Sequence, residues 1–259
     1  MKVKEISHVL ETFAPLSIQE SWDNSGLIIG SPEQDVHGVL LGFDCTPELV
    51  DEAVECGADM IVTHHPLIFG GLKKISPDDP TGLAVMKAVS AGIAVYAAHT
   101  TADKVLSGVS GAMAERLGLE NIGILDEDPN GYGLGAIGDL PEAMGGEKFI
   151  EYVKSCFNLK VARCSRIPDV QISKVAMCGG SGASLIDVAK SLGAQAYLCG
   201  DISYHHFFTT KDFMVMDIGH FEGEVEIVEI LFSLLRKNFP NFAICTSARL
   251  EKSNPVYYY

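Results

Sequence analysis

The feature that most constrains the fold is a short apolar stretch that ends in two adjacent histidines, Asp59-Met-Ile-Val-Thr-His-His-Pro66. The consecutive apolar residues at 60–62 are typical of a strand buried on both faces of a sheet. Pro66 cannot donate a ladder hydrogen bond, so the strand must end before it. We therefore expect His64 and His65 at the carboxyl end of a strand, which is where open α/β sheets bind their ligands.

The adjacency of the two histidines leaves two arrangements open. On a regular strand, neighbouring side chains point to opposite faces of the sheet. His64 and His65 can therefore share one site only if the strand has already ended, or else each of them serves a different centre. The second arrangement suggests two metal ions.

The charge of the chain argues against a nucleic-acid partner. The 259 residues carry a formal net charge of −15, with a pI near 4.8, and no Lys/Arg-rich run interrupts this acidity. Such a protein is repelled by the phosphate backbone of DNA or RNA. A small-molecule substrate is the expected partner instead.

Cysteine usage and hydropathy indicate a cytoplasmic protein. The seven cysteines are scattered and form no C-x-x-C pair, which predicts small buried hydrophobes in a reduced protein and not a disulfide framework or a thiolate zinc site. No stretch approaches the ~20 consecutive apolar residues of a membrane helix, and the N-terminus lacks the apolar core of a signal peptide. We expect no membrane contact.

Strands and helices alternate along the first half of the chain. A strand is predicted over residues 39–43, and the next helix has Thr46 as its N-cap, Pro47 at its first position and Gly57 at its end. After the strand with His64, a helix over residues 81–91 leads to a strand over 93–97. This order predicts a mostly parallel sheet with helices on its faces.

The second half repeats this order with identical residues at one constant offset. The matched positions are Leu49, Asp51, Ala53, Gly57 and Ala58 in the first half, and Leu185, Asp187, Ala189, Gly193 and Ala194 in the second. His99 and Asp103 after one strand likewise correspond to His220 and Glu224 after another. We predict an α/β fold of two similar domains related by internal duplication, with a dinuclear metal site in the cleft between them.

Domain bounds follow from a shift in composition. Residues 126–146 are rich in glycine, proline and acidic residues, which is typical of a boundary. We predict a first α/β domain formed by residues 1–125 together with about 218–259, carrying most of the metal ligands, and a second α/β domain over 126–217.

Most of the histidines gather at the predicted strand ends. Six of the eight lie there with three acidic residues: His64, His65, His99, His205, His206 and His220, with Asp103, Asp201 and Glu224. Residues four apart on a helix are neighbours, so His220 and Glu224 can address one metal ion. Nitrogen and oxygen ligands without thiolate suit zinc, iron, manganese, cobalt or nickel about equally. A pair of such ions generates hydroxide near neutral pH.

Two weaker signals have two interpretations each. The turn Cys178-Gly-Gly-Ser-Gly182 joins a strand to a helix, so it either cradles a phosphate or serves as a tight left-handed connection. Trp22-Asp23-Asn24, which holds the only tryptophan, either lines a substrate pocket or anchors the packing.

Six motifs in order along the chain resemble the NIF-three-like family, also catalogued as GTP cyclohydrolase 1 type 2 homologues. They are Ser21-Trp-Asp-Asn-Ser-Gly-Leu27, Thr63-His-His-Pro-Leu-Ile-Phe69, Ala98-His-Thr-Thr-Ala-Asp103, Gly179-Gly-Ser-Gly182, Gly200-Asp201 with Tyr204-His205, and Gly219-His220-x-x-x-Glu224. The His-His-Pro and the later His-x-x-x-Glu are the specific ones. The interval between Asp103 and His220 is too short for the inserted domain that some members carry, so this chain resembles the compact form.

The resemblance implies a ligand set and an assembly. Two divalent metal ions per chain would be held by five side chains: His64, His65, Asp103, His220 and Glu224. The chain would form a homo-oligomer, a ring-shaped hexamer. His99 is not among the usual ligands, so we interpret it as an outer-shell or proton-transfer residue.

The function expected on these grounds is a dinuclear-metal hydrolase of a nucleotide-like small molecule. Opening of the guanine ring of GTP is the named candidate reaction, with His99, His205 or His206 as the proton carrier. Two alternatives are open. One is a two-metal phosphoesterase, and the other is a non-catalytic, ring-forming metal-binding or regulatory scaffold.

Overall fold

The computed structural model describes residues 1–258, which form two compact units. Unit 1 comprises Met1–Ala102 and Ile227–Pro255. Unit 2 comprises Asp103–Glu226 and the C-terminal residues from Val256. Each unit contains one β-sheet and its own helices, so the mixed α/β fold with two sheets that the sequence predicts is confirmed.

The elements of residues 1–258 are these, in chain order. The strands are β1 (Gly26–Ile29), β2 (Gly38–Gly42), β3 (Met60–Thr63), β4 (Ala94–Ala97), β5 (Glu120–Glu127), β6 (Gly133–Met144), β7 (Arg163–Cys164), β8 (Ile172–Met177), β9 (Ala196–Cys199), β10 (Met214–Asp217) and β11 (Ala243–Thr246). The α-helices are α1 (Val3–Phe13), α2 (Pro47–Cys56), α3 (Pro80–Ala91), α4 (Thr100–Asp103), α5 (Val109–Arg116), α6 (Gly146–Phe157), α7 (Ile186–Ser191), α8 (His220–Glu224) and α9 (Ile227–Asn238). Short 3-10 helices lie at Leu16–Ile18, Ala183–Leu185, Tyr204–Phe207 and Leu250–Lys252.

The sheet of unit 1 has the order β1-β4-β3-β2-β11. Strands β4, β3, β2 and β11 are parallel, and β1 pairs with β4 in the antiparallel sense. Every residue of β2, β3 and β4 is buried, because helices cover the sheet on both faces. Helices α2 and α3 pack together on one core cluster, while α9 packs against α1, β2 and β11.

Helix α2 begins and ends where its sequence predicts. The Thr46 side chain accepts a hydrogen bond from the Leu49 amide, and Pro47 occupies the first turn. Gly57 ends the helix with a left-handed φ of 71°, a conformation that glycine adopts without steric penalty. The chain is thereby turned back into β3, which delivers His64.

The sheet of unit 2 has the order β5-β6-β8-β9-β10-β7. Its centre is three parallel strands, β8, β9 and β10, and the flanking strands β6 and β7 are antiparallel to their neighbours. Within the four parallel strands of unit 1, β2, β3 and β4 have the same arrangement, with antiparallel β1 beside β4, as expected if the repeated residues mark equivalent segments. Common ancestry of the halves stays a prediction.

The division into units differs from the predicted domain bounds. Residues 126–146, whose composition predicts a boundary, lie mostly in the antiparallel hairpin of β5 and β6, inside unit 2. Their acidic and glycine residues suit a hairpin at the edge of a sheet as well as a linker. Residues 103–125 and 218–226 belong to unit 2, so three of the five predicted ligands do too. Tyr259 lies outside the described residues.

Among residues 1–258, no helix has the length and the apolar character that a membrane span requires.

The burial of β3 gives a stability prediction. Replacing Ile61, which is 0% exposed, by alanine should lower the free energy of unfolding by about 2–5 kcal/mol, since the cavity cannot be filled by neighbours held in a sheet. Ile75→Ala is the matched control, because that isoleucine is 55% exposed and should change stability by less than about 0.5 kcal/mol. Urea unfolding measures both, and equal effects would contradict the assigned burial.

Candidate metal centre

His64 and His65 follow β3 after its ladder has ended. Both of their backbone amides donate to the carbonyl oxygen of Phe43 at 3.2 Å, and the Thr63 hydroxyl donates to the His65 carbonyl at 2.8 Å. The two rings are neighbours, with centroids 4.9 Å apart. The strand has therefore ended before His64, so the two rings can lie on the same side of the sheet edge.

The Nδ1 atoms of both rings are occupied by oxygen acceptors. Nδ1 of His64 lies 2.8 Å from the Ala98 carbonyl oxygen, and Nδ1 of His65 lies 2.7 Å from Oδ1 of Asp44. A carbonyl and a carboxylate only accept hydrogen bonds, so Nδ1 carries the proton in each ring. In the neutral rings, Nε2 then holds the lone pair that binds a metal ion.

His99 is held in the same way by Asp23. Nδ1 of His99 lies 2.7 Å from Oδ1 of Asp23, whose side chain is 0% exposed. Ser25 and Thr100 also donate to this carboxylate. Burial alone would raise the pKa of Asp23, but the hydrogen bonds from His99, Thr100 and Ser25, and the charge of His99, outweigh it and hold the pKa well below its usual range.

The three histidines of unit 1 form one cluster. A ring nitrogen of each of His64, His65 and His99 lies within 4.8 Å of those of the other two, a group that can hold a metal ion. Two exposed aromatic side chains border it: the ring centroids of Trp22 and Phe69 lie 5.8 and 5.4 Å from that of His99. Trp22 is 61% exposed, so it borders the site and does not anchor the core.

In unit 2, His220 and Glu224 lie four residues apart on α8, as predicted. Nε2 of His220 is 3.0 Å from Oε2 of Glu224, and its Nδ1 is 2.8 Å from Oδ2 of Asp201. Asp201 has a φ of 52°, which is uncommon for a residue with a side chain and often marks a functional site. The Glu224 residue is only 4% exposed.

The glycine-rich turn packs directly against Glu224. An added Cβ at Gly180 would overlap the Glu224 carboxylate, and one at Gly179 would lie 3.1 Å from the Glu224 Cγ atom. Gly180 has a φ of 56°, so the tight left-handed connection weighed for this turn is the one observed. Its glycines leave room for a carboxylate.

The charges of Asp103 and Glu224 both affect the pKa of the Cys178 thiol. Burial, together with the charges of Asp103, Cys199 and Glu224, raises the pKa of Cys178. The thiol therefore stays protonated at neutral pH, and it is a poor metal ligand in that form. The candidate metal ligands of unit 2 are therefore carboxylates and an imidazole.

His205 and His206 differ from the histidines described above because their side chains are exposed. Both lie on the 3-10 helix Tyr204–Phe207, and both are exposed. The ring of His205 lies beside those of Tyr204 and Phe208, with centroids 5.4 and 6.4 Å away. The two histidines form part of an aromatic surface.

Two carboxylates that orient histidines, those of Asp44 and Asp23, are not predicted as histidine partners from the sequence. Asp44 follows the end of β2, so the rule that identified His64 could also have found it. Asp23 stood out only as a neighbour of Trp22. Its bond to His99 joins residues 76 positions apart, and no local pattern predicts such a pairing.

Known proteins resemble this chain over nearly its whole length. The profile of the family described as Duf34/NIF3 (NGG1p interacting factor 3) matches residues 1–255. A Clostridium acetobutylicum protein named GTP cyclohydrolase 1 type 2 homolog is 32% identical over 259 residues, which cover 98% of this chain and 97% of that relative. A Campylobacter jejuni protein of the same name is 31% identical over 261 residues, with 100% of both chains covered.

Solved structures share the fold. A Staphylococcus aureus hypothetical protein aligns with a TM-score of 0.92 at 29% identity, over 100% of this chain and 99% of its own. A Bacillus cereus protein related to NIF3 aligns with the same TM-score at 25% identity, over 100% of this chain and 99% of its own. A Staphylococcus epidermidis relative aligns over 356 positions, covering 94% of this chain and 97% of that relative, so it carries segments that the 259-residue chain lacks.

The Asp23 carboxylate gives a pH-dependent prediction. Asp23→Asn should lower the free energy of unfolding by about 1–3 kcal/mol at pH 7, since the buried donors lose a charged acceptor. The lowered pKa of Asp23 means that its contribution is present above about pH 4 and is lost as the pH falls. The difference between wild type and variant should therefore shrink below about pH 4 in urea unfolding.

The control for this measurement is Asp187→Asn, whose side chain is 93% exposed and should matter little at any pH. A difference between wild type and Asp23→Asn that stayed constant from pH 7 to pH 3 would show that Asp23 is not held ionised by these contacts.

Proposed function

This chain belongs to the Duf34/NIF3 family, and on that premise we propose that it is a metal-dependent hydrolase of a nucleotide-like small molecule. The observation that carries the proposal is the shared anchoring of His64, His65 and His99. Each ring has Nδ1 bonded to an oxygen, which leaves Nε2 as the nitrogen with a lone pair. Metal-binding histidines are oriented in this way.

The residues present fit divalent metal ions. Nε2 of His64, Oδ1 of Asp103 and Oε2 of Glu224 are buried from solvent, where a cation offsets the cost of an enclosed carboxylate. We propose that five side chains hold two ions per chain: His64, His65, Asp103, His220 and Glu224. The nitrogen and oxygen donors suit zinc, iron, manganese, cobalt or nickel.

Two divalent ions, when bound, supply Lewis acidity that activates water near neutral pH and stabilises negative charge on a substrate oxygen. The chain itself supplies the proton carrier. His99 accepts a proton at Nε2, and the ionised Asp23 stabilises the imidazolium that results. His205 and His206 stay alternative carriers, but both are exposed, so neither is enclosed as His99 is.

The aromatic border suits a planar substrate. Trp22 and Phe69 are 61% and 53% exposed beside His99, and flat heterocycles stack on such side chains. Relatives carry the name GTP cyclohydrolase 1 type 2 homolog. We take hydrolytic opening of the guanine ring of GTP as the first reaction to test. Release of phosphate without ring opening would indicate the phosphoesterase alternative.

A ring-forming scaffold is the second candidate. Tyr204 and Phe208 are 71% and 72% exposed, an apolar surface of the kind that protein contacts bury. We propose that the chain forms a homo-oligomer, and the hexameric ring follows from the family resemblance. In a scaffold, loss of the metal should also dissolve the assembly.

Metal content tests the proposal directly. Protein purified without chelator or nickel-affinity resin should contain about two equivalents of metal per chain, measured by inductively coupled plasma mass spectrometry. His64→Ala with Glu224→Ala should reduce this content because each removes a proposed ligand. His37→Ala with Glu229→Ala is the matched control, since both residues are exposed and lie outside the ligand set.

The same variants separate the two candidate functions. An enzyme should keep its assembly in sedimentation when Asp103→Ala lowers its metal content, while turnover falls. A scaffold should lose the assembly with the metal. Metal near zero in the wild type, even after reloading, would exclude the paired-ion centre.

The turn beside Glu224 offers a sharper test. Gly180→Ala and Gly193→Ala both force alanine into a left-handed conformation, at φ 56° and 82°, at a cost of about 1–2 kcal/mol each. Only the first also displaces Glu224, because nothing lies within 4 Å of an added Cβ at Gly193. We expect Gly180→Ala alone to lower the metal content. Equal metal content in the two variants would count against Glu224 as a ligand.

A further inference from the structure

A pocket of about 600 Å³ opens beside His65 within unit 1. Its size lies in the range of pockets that hold small organic ligands. His65 and Phe69 line it, and the same two rings belong to the surroundings of His99, with centroids 5.4 Å from that residue. A molecule in this pocket therefore lies next to the histidine cluster.

The charge of the pocket is negative. The carboxylates of Asp44, Glu48 and Asp78 line it, and among residues 1–258 no lysine or arginine does. A triphosphate placed there would meet like charges with no cation of the chain to offset them. The chain as a whole, at −15, adds to this repulsion.

Two helix N-termini border the pocket, and in each of them some of the amide donors are missing or capped. Helices α2 and α3 both begin with proline, which has no amide hydrogen. Thr46 and Asp79 cap them by accepting from the Leu49 and Gly82 amides at 3.3 and 2.8 Å. Asp79 also places a carboxylate at the start of α3. These N-termini thus offer a phosphate fewer open donors and more negative charge than an uncapped helix start does.

The remaining surface of the pocket favours a neutral ring system. Leu67 and Leu83 line the pocket with apolar surface, and Phe69 lines it with an aromatic ring. Thr46 and Thr81 contribute polar atoms. Carboxylates accept hydrogen bonds from ring N–H and amino groups. Apolar and aromatic walls with a few oriented acceptors are the usual features of a site for an uncharged heterocycle.

We propose that this pocket binds an uncharged, N–H-bearing heteroaromatic base, and that it prefers the unphosphorylated nucleoside to the nucleoside triphosphate. The inference rests on the proposed function, because it names the substrate class for the same site. A phosphate chain would have to lie outside the pocket.

Binding of guanosine and GTP to the full chain tests the proposal by isothermal titration calorimetry. We expect a Kd for guanosine at least about tenfold lower than that for GTP. Glu48→Lys should tighten GTP binding at least about fivefold, since two unit charges about 4 Å apart interact by ~1 kcal/mol even in water. This gain should be confined to GTP, because guanosine carries no phosphate for the new lysine to attract. Glu229→Lys, the same charge change at an exposed residue of α9, should affect neither ligand.

The location is tested by filling the pocket. Thr81→Trp should weaken guanosine binding at least about tenfold while the metal content stays at the wild-type level. Guanosine binding unchanged by Thr81→Trp, or GTP binding as tight as guanosine in the wild type, would overturn the proposal. If Thr81→Trp fails to fold by circular dichroism, the response of the folded Glu48→Lys variant decides, and no change in its GTP affinity overturns the proposal.

The proposed hydrolase and this inference fail separately. Guanosine binding that responds to Thr81→Trp in a chain that holds no metal would support the pocket assignment and reject the hydrolase. About two equivalents of metal without measurable guanosine or GTP binding would reject the pocket and leave the metal centre standing.

Discussion

The candidate ligand groups, in each unit taken by itself, depend on one repeated interaction, a hydrogen bond from the Nδ1 atom of a histidine to an oxygen. It occurs four times, at His64, His65, His99 and His220, and the acceptors are one backbone carbonyl and three aspartates. Each bond fixes the tautomer of its ring as well as its orientation. The exposed His37 makes the same bond to Asp59, so the bond alone does not identify a ligand. The evidence for a ligand role is the bond together with the clustering of His64, His65 and His99, whose ring nitrogens lie within 4.8 Å of one another.

The acidic residues around these histidines place a second constraint on the fold. Asp23 is fully enclosed, and Glu224 is 4% exposed. Enclosing a carboxylate costs several kcal/mol unless charges and hydrogen bonds compensate it. Asp23 is compensated within the protein by His99, Thr100 and Ser25. Glu224 lies 3.0 Å from Nε2 of His220 and packs against Gly179 and Gly180. Each of the two carboxylates is therefore paired with a histidine.

The sequence predicted the strand ends and the helix caps well, because these depend on neighbours in the chain. Thr46, Pro47 and Gly57 define α2, and the apolar run before His64 defines β3. The hydrogen-bond partners of the histidines were harder to predict. Asp44 pairs with His65 across 21 residues, and Asp23 with His99 across 76. Such pairs are set by which strands and loops become neighbours, and one sequence does not contain that information.

The bounds of the two compact units do not follow composition, for a related reason. Acidic residues and glycine at 126–146 predict solvent exposure, and an edge hairpin satisfies this as fully as a linker does. The structure then places Asp103 with the residues that follow it. Local composition reports exposure, whereas a unit is defined by its long-range contacts.

Two features of the chain, the glycine-rich turn and the acidic pocket beside His65, determine how it would meet the phosphates of a nucleotide. The turn at Gly179–Gly182 is filled on one side by the Glu224 carboxylate, so an anion there would meet a like charge. The pocket beside His65 is lined by three further carboxylates and by helix N-termini that are already capped. In both places a triphosphate would meet carboxylates. Phosphates on a ligand would therefore need positive charge from another source, such as a divalent cation.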